Sequence, residues 1–194
     1  MKVNVMKNAD IDLETLNRLR EFISKIFEKG GYSDSPWRNH NYDPWATWFW
    51  VEHGKRILAT MRIIEKAPEN WIPLEIAVID DGGNPAMRYA VVENNVADWN
   101  SIAFEPTKFG VYAAKSTFRT VAKYCFEKGF EVVYGLYNTK QFGIKRLYFG
   151  AGAMRSNRYS SEVYFPDFRF KGELAKFHVI ELKPETLKRI AFNF

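Results

Sequence analysis

The sequence predicts an α/β fold, a mixed and mostly antiparallel sheet with a central parallel strand pair and helices on both faces. Strand-like segments dominate the middle of the chain, and the stretch 46–66 reverses direction at one His-Gly turn. A single strand–helix–strand–helix unit occupies 99–150. A strand–helix–strand crossover of this kind joins parallel neighbours in a right-handed sense, which predicts the parallel pair.

The composition is typical of one folded domain over residues 1–194. The chain is 46% hydrophobic and 16% aromatic, which is too apolar for a disordered segment. No stretch approaches the ~18 uninterrupted apolar residues of a membrane span, and the N-terminus lacks the apolar core of a signal peptide. The single cysteine, Cys125, has no internal disulfide partner. We therefore expect a cytoplasmic protein.

Each element follows from local patterns. Asp12 can cap a helix, because its side chain can accept a hydrogen bond from the first turn. Glycine and proline in the stretch 29–44 end that helix, Gly129 ends a later one, and Pro184 begins the last. The predicted elements are, in order, a strand at 2–6, a helix from Leu13 to about Phe27, a hairpin at 46–66, a hairpin pairing 72–79 with 87–93, a strand at 99–105, a helix at 111–129, a strand at 130–137, a helix at 139–150, strands near 158–165 and 175–182, and a C-terminal helix.

The two halves of the chain differ in charge. Residues 1–105 carry 12 Lys/Arg and 16 Asp/Glu, whereas residues 106–194 carry 16 and 7, so the net charges are −4 and +9. A basic C-terminal half suits a polyanionic partner such as a phosphorylated cofactor, an acidic carrier protein or nucleic acid. It also suits a solvated face that keeps the protein in solution, and charge alone does not separate these alternatives.

The unit at 99–153 carries a recognisable series of motifs. Its first strand leads into a turn of small residues that opens a helix, and its second helix closes on a Leu-Tyr pair and a glycine. The residues at these positions are Ile102, Phe104, Pro106, Gly110, Ala114, Leu147, Tyr148 and Gly152. In residues and spacing this unit resembles the GNAT superfamily of N-acyltransferases. The resemblance implies a GNAT-like fold and transfer of an acyl group from acyl-CoA, such as acetyl-CoA, to a small-molecule or peptide amine.

Three positions depart from the GNAT pattern. Phe109 stands where the family has arginine, Tyr112 where it has the central glycine, and Ala153 where it has phenylalanine. The family's turn directs backbone N–H groups at a pyrophosphate on a helix N-terminus. We expect residues 110–114 to present N–H groups outward, Tyr112 to crowd the entrance, and Lys108 and Lys115 to compensate by charge.

The resemblance extends to a second branch of the same fold. The stretch 41–66 is similar to the corresponding segment of N-acyl amino acid synthases and acyl-homoserine-lactone synthases, with Arg62 at their arginine position. These enzymes take long acyl chains from acyl carrier protein, which is therefore a possible partner. The strand at 99–104 lacks the arginine of the lactone synthases. A third alternative is a non-catalytic interaction or nucleic-acid-binding module of GNAT shape.

Acyl transfer to an amine needs a base, and an acid for the departing thiolate. The resemblance implies that Tyr148 is the acid, and Asp98 or Glu105 is the candidate base. Alternation along the strand predicts positions 98, 100, 102 and 104 on one face and 105 on the other. Each of these side chains can instead be an ordinary packed aromatic or a solvated strand-end carboxylate.

The remaining site residues are also assigned through the resemblance. The backbone of Ala103 and Phe104 would bind the pantetheine amides if the two central strands diverge. Trp45 and Trp48 are candidate walls for an acyl chain, although tryptophans on a strand usually belong to the core. The proposed donor-binding set is Ala103, Phe104, Gly110, Val111, Tyr112, Ala113, Ala114 and Asn138, and the proposed substrate-binding set is Trp45, Trp48 and Arg62.

Other chemistries find no support in the sequence. His40, His53 and His178 lack the spacing of metal ligands, so no metal is expected. No nucleophile-elbow or P-loop motif is present. Arginines and tyrosines mix near 154–165, but no RNA-binding signature accompanies them, so a nucleic-acid partner is not expected. The oligomeric state is left open.

Overall fold

The computed structural model of the protein describes residues 1–33 and 40–193. In chain order its helices and strands are β1 (Asn4–Lys7), α1 (Leu13–Lys29), β2 (Tyr32–Ser33), β3 (Ala46–His53), β4 (Arg56–Glu65), α2 (Pro73–Ile76), β5 (Val78–Ile79), β6 (Val96–Phe104), α3 (Lys108–Glu127), β7 (Val132–Tyr137), α4 (Phe142–Gly150), β8 (Met154–Arg155), β9 (Val163–Phe170), β10 (Glu173–Leu182) and α5 (Pro184–Asn193).

Ten strands of the described chain form one sheet in the order β1-β3-β4-β6-β7-β10-β9-β2, with β5 on β9 and β8 on β10. The β6–β7 pair is parallel, and the other ladders of this sheet are antiparallel. This confirms the predicted fold class, including the central parallel pair.

The two faces of the sheet are covered by different elements. Phe49 and Val51 of β3 pack in the cluster that also contains residues of α3, α4 and α5. Trp48 and Trp50 of the same strand pack with Leu16 of α1. Because alternate side chains of a strand point to opposite faces, α3, α4 and α5 lie on one side of the sheet and α1 on the other.

Several local predictions are confirmed by the capping and turn geometry. Asp12 caps α1, since its Oδ1 accepts a hydrogen bond of 2.8 Å from the Thr15 N–H. The 46–66 hairpin forms with the turn at residues 54–55 and the C-terminal helix begins at Pro184. Part of the 29–44 segment, residues 34–39, lies outside the described residues.

The prediction of a second hairpin is wrong. Residues 73–76 form the one-turn helix α2, and the 87–93 stretch contributes only an isolated bridge between Arg88 and Val78. The buried Glu75 carboxylate accepts the N–H groups of Ile72 at 3.0 Å and Val91 at 3.3 Å. A side chain thus satisfies backbone groups that a strand ladder would otherwise bind.

The strand predicted near 158–165 begins later in the chain, at Val163. Residues 156–160 form a turn instead, in which the Tyr159 N–H donates to Ser156 Oγ at 3.0 Å and Arg155 Nη2 donates to the Ser160 carbonyl at 2.8 Å. These bonds hold the backbone away from the sheet until Val163.

Candidate active site

The central parallel strands part in the middle of the sheet. β6 and β7 pair only at Val96–Val132, Ala97–Val133 and Asp98–Tyr134. β6 then continues to Phe104 and β7 to Tyr137 with no further pairing between them. The predicted divergence at the C-terminal ends is confirmed, and it leaves an unpaired strand edge inside the sheet.

A β-bulge on β6 lies at the start of this gap. The register on β4 shifts between the Arg62–Asn100 and Thr60–Ala103 pairs, so β6 carries one extra residue. Ser101 adopts a φ of 53°, in the left-handed region that non-glycine residues rarely occupy.

The bulge corrects the predicted alternation. Ala97 and Trp99 belong to the cluster on the α3 side, and Ile102 and Phe104 pack against that same cluster. Asp98 therefore does not share a face with positions 102 and 104, because the extra residue reverses the parity of the strand. Asp98 and Asn100 lie on the α1 side, beside Arg62.

Tyr148 of α4 is buried beside the gap, on the α3 side of the sheet. Its side chain is 1% exposed and its ring centroid lies 6.3 Å from that of Phe118. A Cβ atom added at Gly135 would lie 3.3 Å from the Tyr148 hydroxyl oxygen. Gly135 directly follows the last β7 residue that pairs with β6, so the hydroxyl lies where the strands part.

Burial raises the pKa of Tyr148 well above its ordinary value, and the negative charge of Asp98 raises it further. The hydroxyl is therefore protonated at neutral pH and can act as a hydrogen-bond donor. This effect of Asp98 acts through the sheet, because Asp98 lies on the α1 side and Tyr148 on the α3 side.

Asp98 is a buried carboxyl with one oxygen uncommitted within the described residues. Its Oδ1 accepts a bond of 2.7 Å from Asn100 Nδ2, whereas Oδ2 has no hydrogen-bond partner in this part of the chain. Arg62 Nε donates to Asn100 Oδ1 at 2.9 Å, so Asn100 links the guanidinium to the carboxyl. Burial raises the pKa of Asp98 to about 7, opposed by the Asn100 bond and the Arg62 charge.

Glu105, the other candidate base, is held in an ion pair. Both of its carboxylate oxygens accept bonds from Arg56, from Nε at 2.6 Å and from Nη2 at 2.7 Å. This bidentate pair ties the end of β6 to the start of β4. The carboxylate is thereby committed to a structural contact at the edge of the gap.

The turn at the start of α3 is closed by its own capping residue. Thr107 Oγ1 accepts the Gly110 N–H at 3.0 Å, and the Thr107 carbonyl accepts the Val111 N–H at 2.9 Å. Ala113 and Ala114 are buried in the second turn of the helix. The expectation that residues 110–114 present their N–H groups outward is therefore wrong.

The structure separates the two large exposed residues of this turn, Val111 and Tyr112, from its small residues. A Cβ on Gly110 would lie 2.1 Å from the Glu105 carbonyl oxygen, so the small residue serves close packing of α3 on the end of β6. Tyr112 is 63% exposed and Val111 42% exposed.

The other predicted residues have partners of their own. Asn138 is buried at the end of β7, where its Oδ1 accepts the Lys140 N–H at 2.9 Å. Trp48 packs with α1, and its Nε1 donates to Asn8 Oδ1 at 2.9 Å. Trp45 packs at the margin of a separate cluster on the α1 side.

Arg62 of β4 lies between Trp48 of β3 and the gap. Its guanidinium carbon is 5.1 Å from the Trp48 ring centroid and 5.8 Å from that of Tyr42. Burial lowers the pKa of Arg62 to about 10, which leaves it charged at neutral pH. The α1 side of the gap thus carries one buried cation beside one buried carboxyl.

Two residues of this site are absent from the sequence-based assignment. Asn100 could have been noticed as a polar residue two positions after Asp98 on a strand, where both share a face. Gly135 interrupts the apolar run of β7, and a glycine in a strand often marks a close approach. Neither signal shows which residue Asn100 or Gly135 contacts.

Within 1–33 and 40–193, no three His, Cys, Asp or Glu side chains cluster as metal ligands. None of the helices found there combines the length and apolarity needed to cross a membrane.

Comparisons by sequence give no match, either with family profiles or with curated proteins. Comparison of the fold gives many. The chain is similar to FeeM, an N-acyl amino acid synthase from uncultured soil microbes, with 14% identity and a TM-score of 0.61 over 99% of this chain and 100% of that one.

Two further solved structures show the same likeness. The AHL synthase LasI has 13% identity and a TM-score of 0.64 over 98% of this chain and 94% of that one. An acyl-CoA N-acyltransferase from Pseudomonas aeruginosa has 10% identity and a TM-score of 0.58 over 93% and 97%. Identities this low establish the architecture alone. With its parted central strands and its strand order, the chain has the fold of the GNAT acyltransferases.

Proposed function

We propose that the protein is an acyltransferase that moves an acyl group from an acyl thioester, acyl-CoA, to an amine. The observation that supports this proposal most directly is the gap between β6 and β7, with Asp98 on one face of the sheet and the Tyr148 hydroxyl on the other. The fold neighbours, which include enzymes named as acyltransferases, support acyl transfer in general.

The free edge of β6 suits the amide groups of the donor's pantetheine arm. The Glu105 N–H donates to the Leu58 carbonyl at 2.9 Å, so position 105 bonds toward β4. Because backbone groups of successive strand residues point to alternate edges, those of Phe104 point into the gap and those of Ala103 toward β4. Phe104 is therefore the residue to which we assign pantetheine binding.

The reaction uses one group from each face. The amine nitrogen attacks the thioester carbonyl carbon, a C–N bond forms, and the carbon–sulfur bond breaks. Asp98 Oδ2 accepts the proton that the nitrogen loses, and Tyr148 donates a hydrogen bond and then its proton to the departing thiolate sulfur. A base with a pKa of about 7 is ionised in about half of the molecules at neutral pH, which suits this task.

The acceptor and the thioester are assigned to different sides of the reaction site. The amine acceptor approaches on the α1 side, where Arg62, Trp48 and Trp45 lie, and the thioester enters between the strands. Glu105 is left to its ion pair with Arg56, so we assign it no proton transfer.

One observation favours a second candidate donor. At the family's phosphate position the Gly110 and Val111 N–H groups are bonded to Thr107 and are not free for a phosphate. An acyl carrier protein presents its acyl group on a phosphopantetheine arm with no nucleotide, and it therefore does not require that turn. A carrier-protein-dependent N-acyl amino acid or autoinducer-type synthase is thus the alternative.

The proposal is tested by donor binding and thiol release. Thermal shifts are measured with acyl-CoA of several chain lengths, acyl-phosphopantetheine and acyl carrier protein, followed by thiol release with a panel of amines. We expect Tyr148→Phe and Asp98→Asn each to lower turnover by about 10²-fold. Tyr164→Phe, on the distant strand β9, is the matched control. Absence of stabilisation by every thioester, or full turnover in both gap variants, would refute the proposal.

A further inference from the structure

A groove lies on the outer side of α3, away from the sheet. It encloses about 550 Å³ and is lined by Met1, Phe109, Tyr112, Lys115, Ser116 and Arg119. The buried side of the same helix is formed by Gly110, Ala113, Thr117 and Val121, so the groove faces nearly the opposite direction. Phe109, in the first turn of α3, follows the end of β6 by five residues, so one end of the groove lies close in the chain to a strand that borders the gap.

Two exposed aromatic rings line the end of the groove that lies nearest the N-terminus of α3. Phe109 is 68% exposed and Tyr112 is 63% exposed, and their spacing of three residues places them side by side on the helix. They offer flat faces on which a heterocyclic base can stack.

Two cations continue the groove one and two turns further along. Lys115 and Arg119 are spaced four residues apart, on the same side as Tyr112. Neither forms an ion pair with any acid of the described residues, unlike Lys123 on the same helix, which pairs with Glu127 at 3.7 Å. From Phe109 to Arg119 the helix rises about 15 Å, so rings and cations can contact one extended ligand.

Two N–H groups at the start of α3 are bonded within the protein and are not free to bind a phosphate. Thr107 takes the Gly110 N–H with its hydroxyl and the Val111 N–H with its carbonyl. These two N–H groups therefore do not compensate the charge of a phosphorylated ligand that enters the gap. The groove is a concave surface on α3 with exposed cations that can do so.

We propose that the groove binds the phosphorylated adenosine end of a coenzyme donor, with the base on Phe109 and Tyr112 and phosphates on Lys115 and Arg119. This inference rests on the proposed function, because it assumes that the thioester arm lies in the gap. In it Tyr112 holds the ligand and does not obstruct it.

The test uses adenosine 3′,5′-bisphosphate, a probe that carries no pantetheine arm. We expect it to bind the wild-type protein in calorimetry and to compete with coenzyme A. Arg119→Ala should weaken its binding about tenfold, and Tyr112→Ala at least about fivefold. Lys123→Ala, an exposed change on the same helix outside the groove, should leave binding unchanged. Raising the salt concentration should weaken binding to the wild type more than to Arg119→Ala.

The outcomes separate this inference from the proposed function. If coenzyme A binds but neither groove variant changes its affinity, the groove assignment is wrong and the acyltransferase proposal stands. If acyl-phosphopantetheine and acyl carrier protein bind while coenzyme A and the bisphosphate do not, the donor is a carrier protein and the groove is not a nucleotide site. If no thioester binds at all, the proposed function itself fails. All three variants are on the solvent side of α3, and thermal unfolding checks that each is folded.

Discussion

The buried carboxyl of Asp98 makes the stability of the protein depend on pH in a way that one substitution should remove. Its pKa is raised from 3.8 to about 7, mainly by burial. A carboxyl whose pKa is higher in the folded state than in the unfolded state favours folding at low pH, and this contribution is lost as the pH rises through the folded-state pKa. Asp98→Asn carries no titrating proton at this position, so it should not show that loss.

The magnitude follows from the two pKa values. At about 1.36 kcal/mol per pH unit, the shift corresponds to about 4 kcal/mol between acid and alkaline conditions. Between pH 5 and pH 8.5, the wild type should lose about 3 kcal/mol of unfolding free energy relative to Asp98→Asn, because much of the unfolded-state ionisation is complete by pH 5. For a domain of this size, that is a change of roughly 6–12 °C in the difference between the two melting temperatures.

The assay is urea unfolding of both proteins at pH 5, 7 and 8.5. The variant also places an amide N–H₂ where Asp98 Oδ2 has no partner in the described chain, which costs about 1–3 kcal/mol at every pH. Only the change in the difference between the proteins is therefore diagnostic. Asp10→Asn, at an exposed position, is the control and should show no comparable trend. A wild-type-to-variant difference that is constant from pH 5 to pH 8.5 would show that Asp98 does not titrate there and is not the base.

The remaining predictions concern α3, α4 and the end of β6. Gly110→Ala should destabilise the protein by about 3 kcal/mol or more, because its Cβ would lie 2.1 Å from a carbonyl oxygen. Gly150→Ala in α4, where the added Cβ meets open space, should leave the free energy of unfolding unchanged or raise it by about 0.5–1 kcal/mol. The urea unfolding midpoints of the two variants are compared. Thr107→Ala removes the α3 cap and should cost about 1 kcal/mol in the same assay. Glu105→Gln should cost no more than about 1 kcal/mol, because its partner Arg56 is 67% exposed, and should retain thioester turnover; loss of turnover would reinstate Glu105 as the base.

Local chemistry explains which elements could be predicted from the sequence. Asp12 caps α1 through a contact three residues away, and the His53-Gly54 turn depends on neighbours in the chain. The parallel pair follows from the helical crossover that joins its two strands. The stretch 72–93 could not be predicted in this way, because Glu75 binds the Val91 N–H 16 residues later and replaces a strand ladder that the local pattern favours.

For the candidate site, sequence determined which residues are available, and tertiary structure decided which of them meet. Tyr148 and Asp98 could be named from their positions in the motif and at the strand start, and the divergence of β6 and β7 could be expected from the resemblance. The bulge at Ser101 reversed the face of every later residue on β6, and no glycine marks it in the sequence. Arg56 bound Glu105, Thr107 capped the α3 turn, and Gly135 admitted the Tyr148 hydroxyl. Caps and turns depend on a few neighbouring residues, whereas strand register, burial and the pKa of a carboxyl depend on residues that only the folded chain brings together.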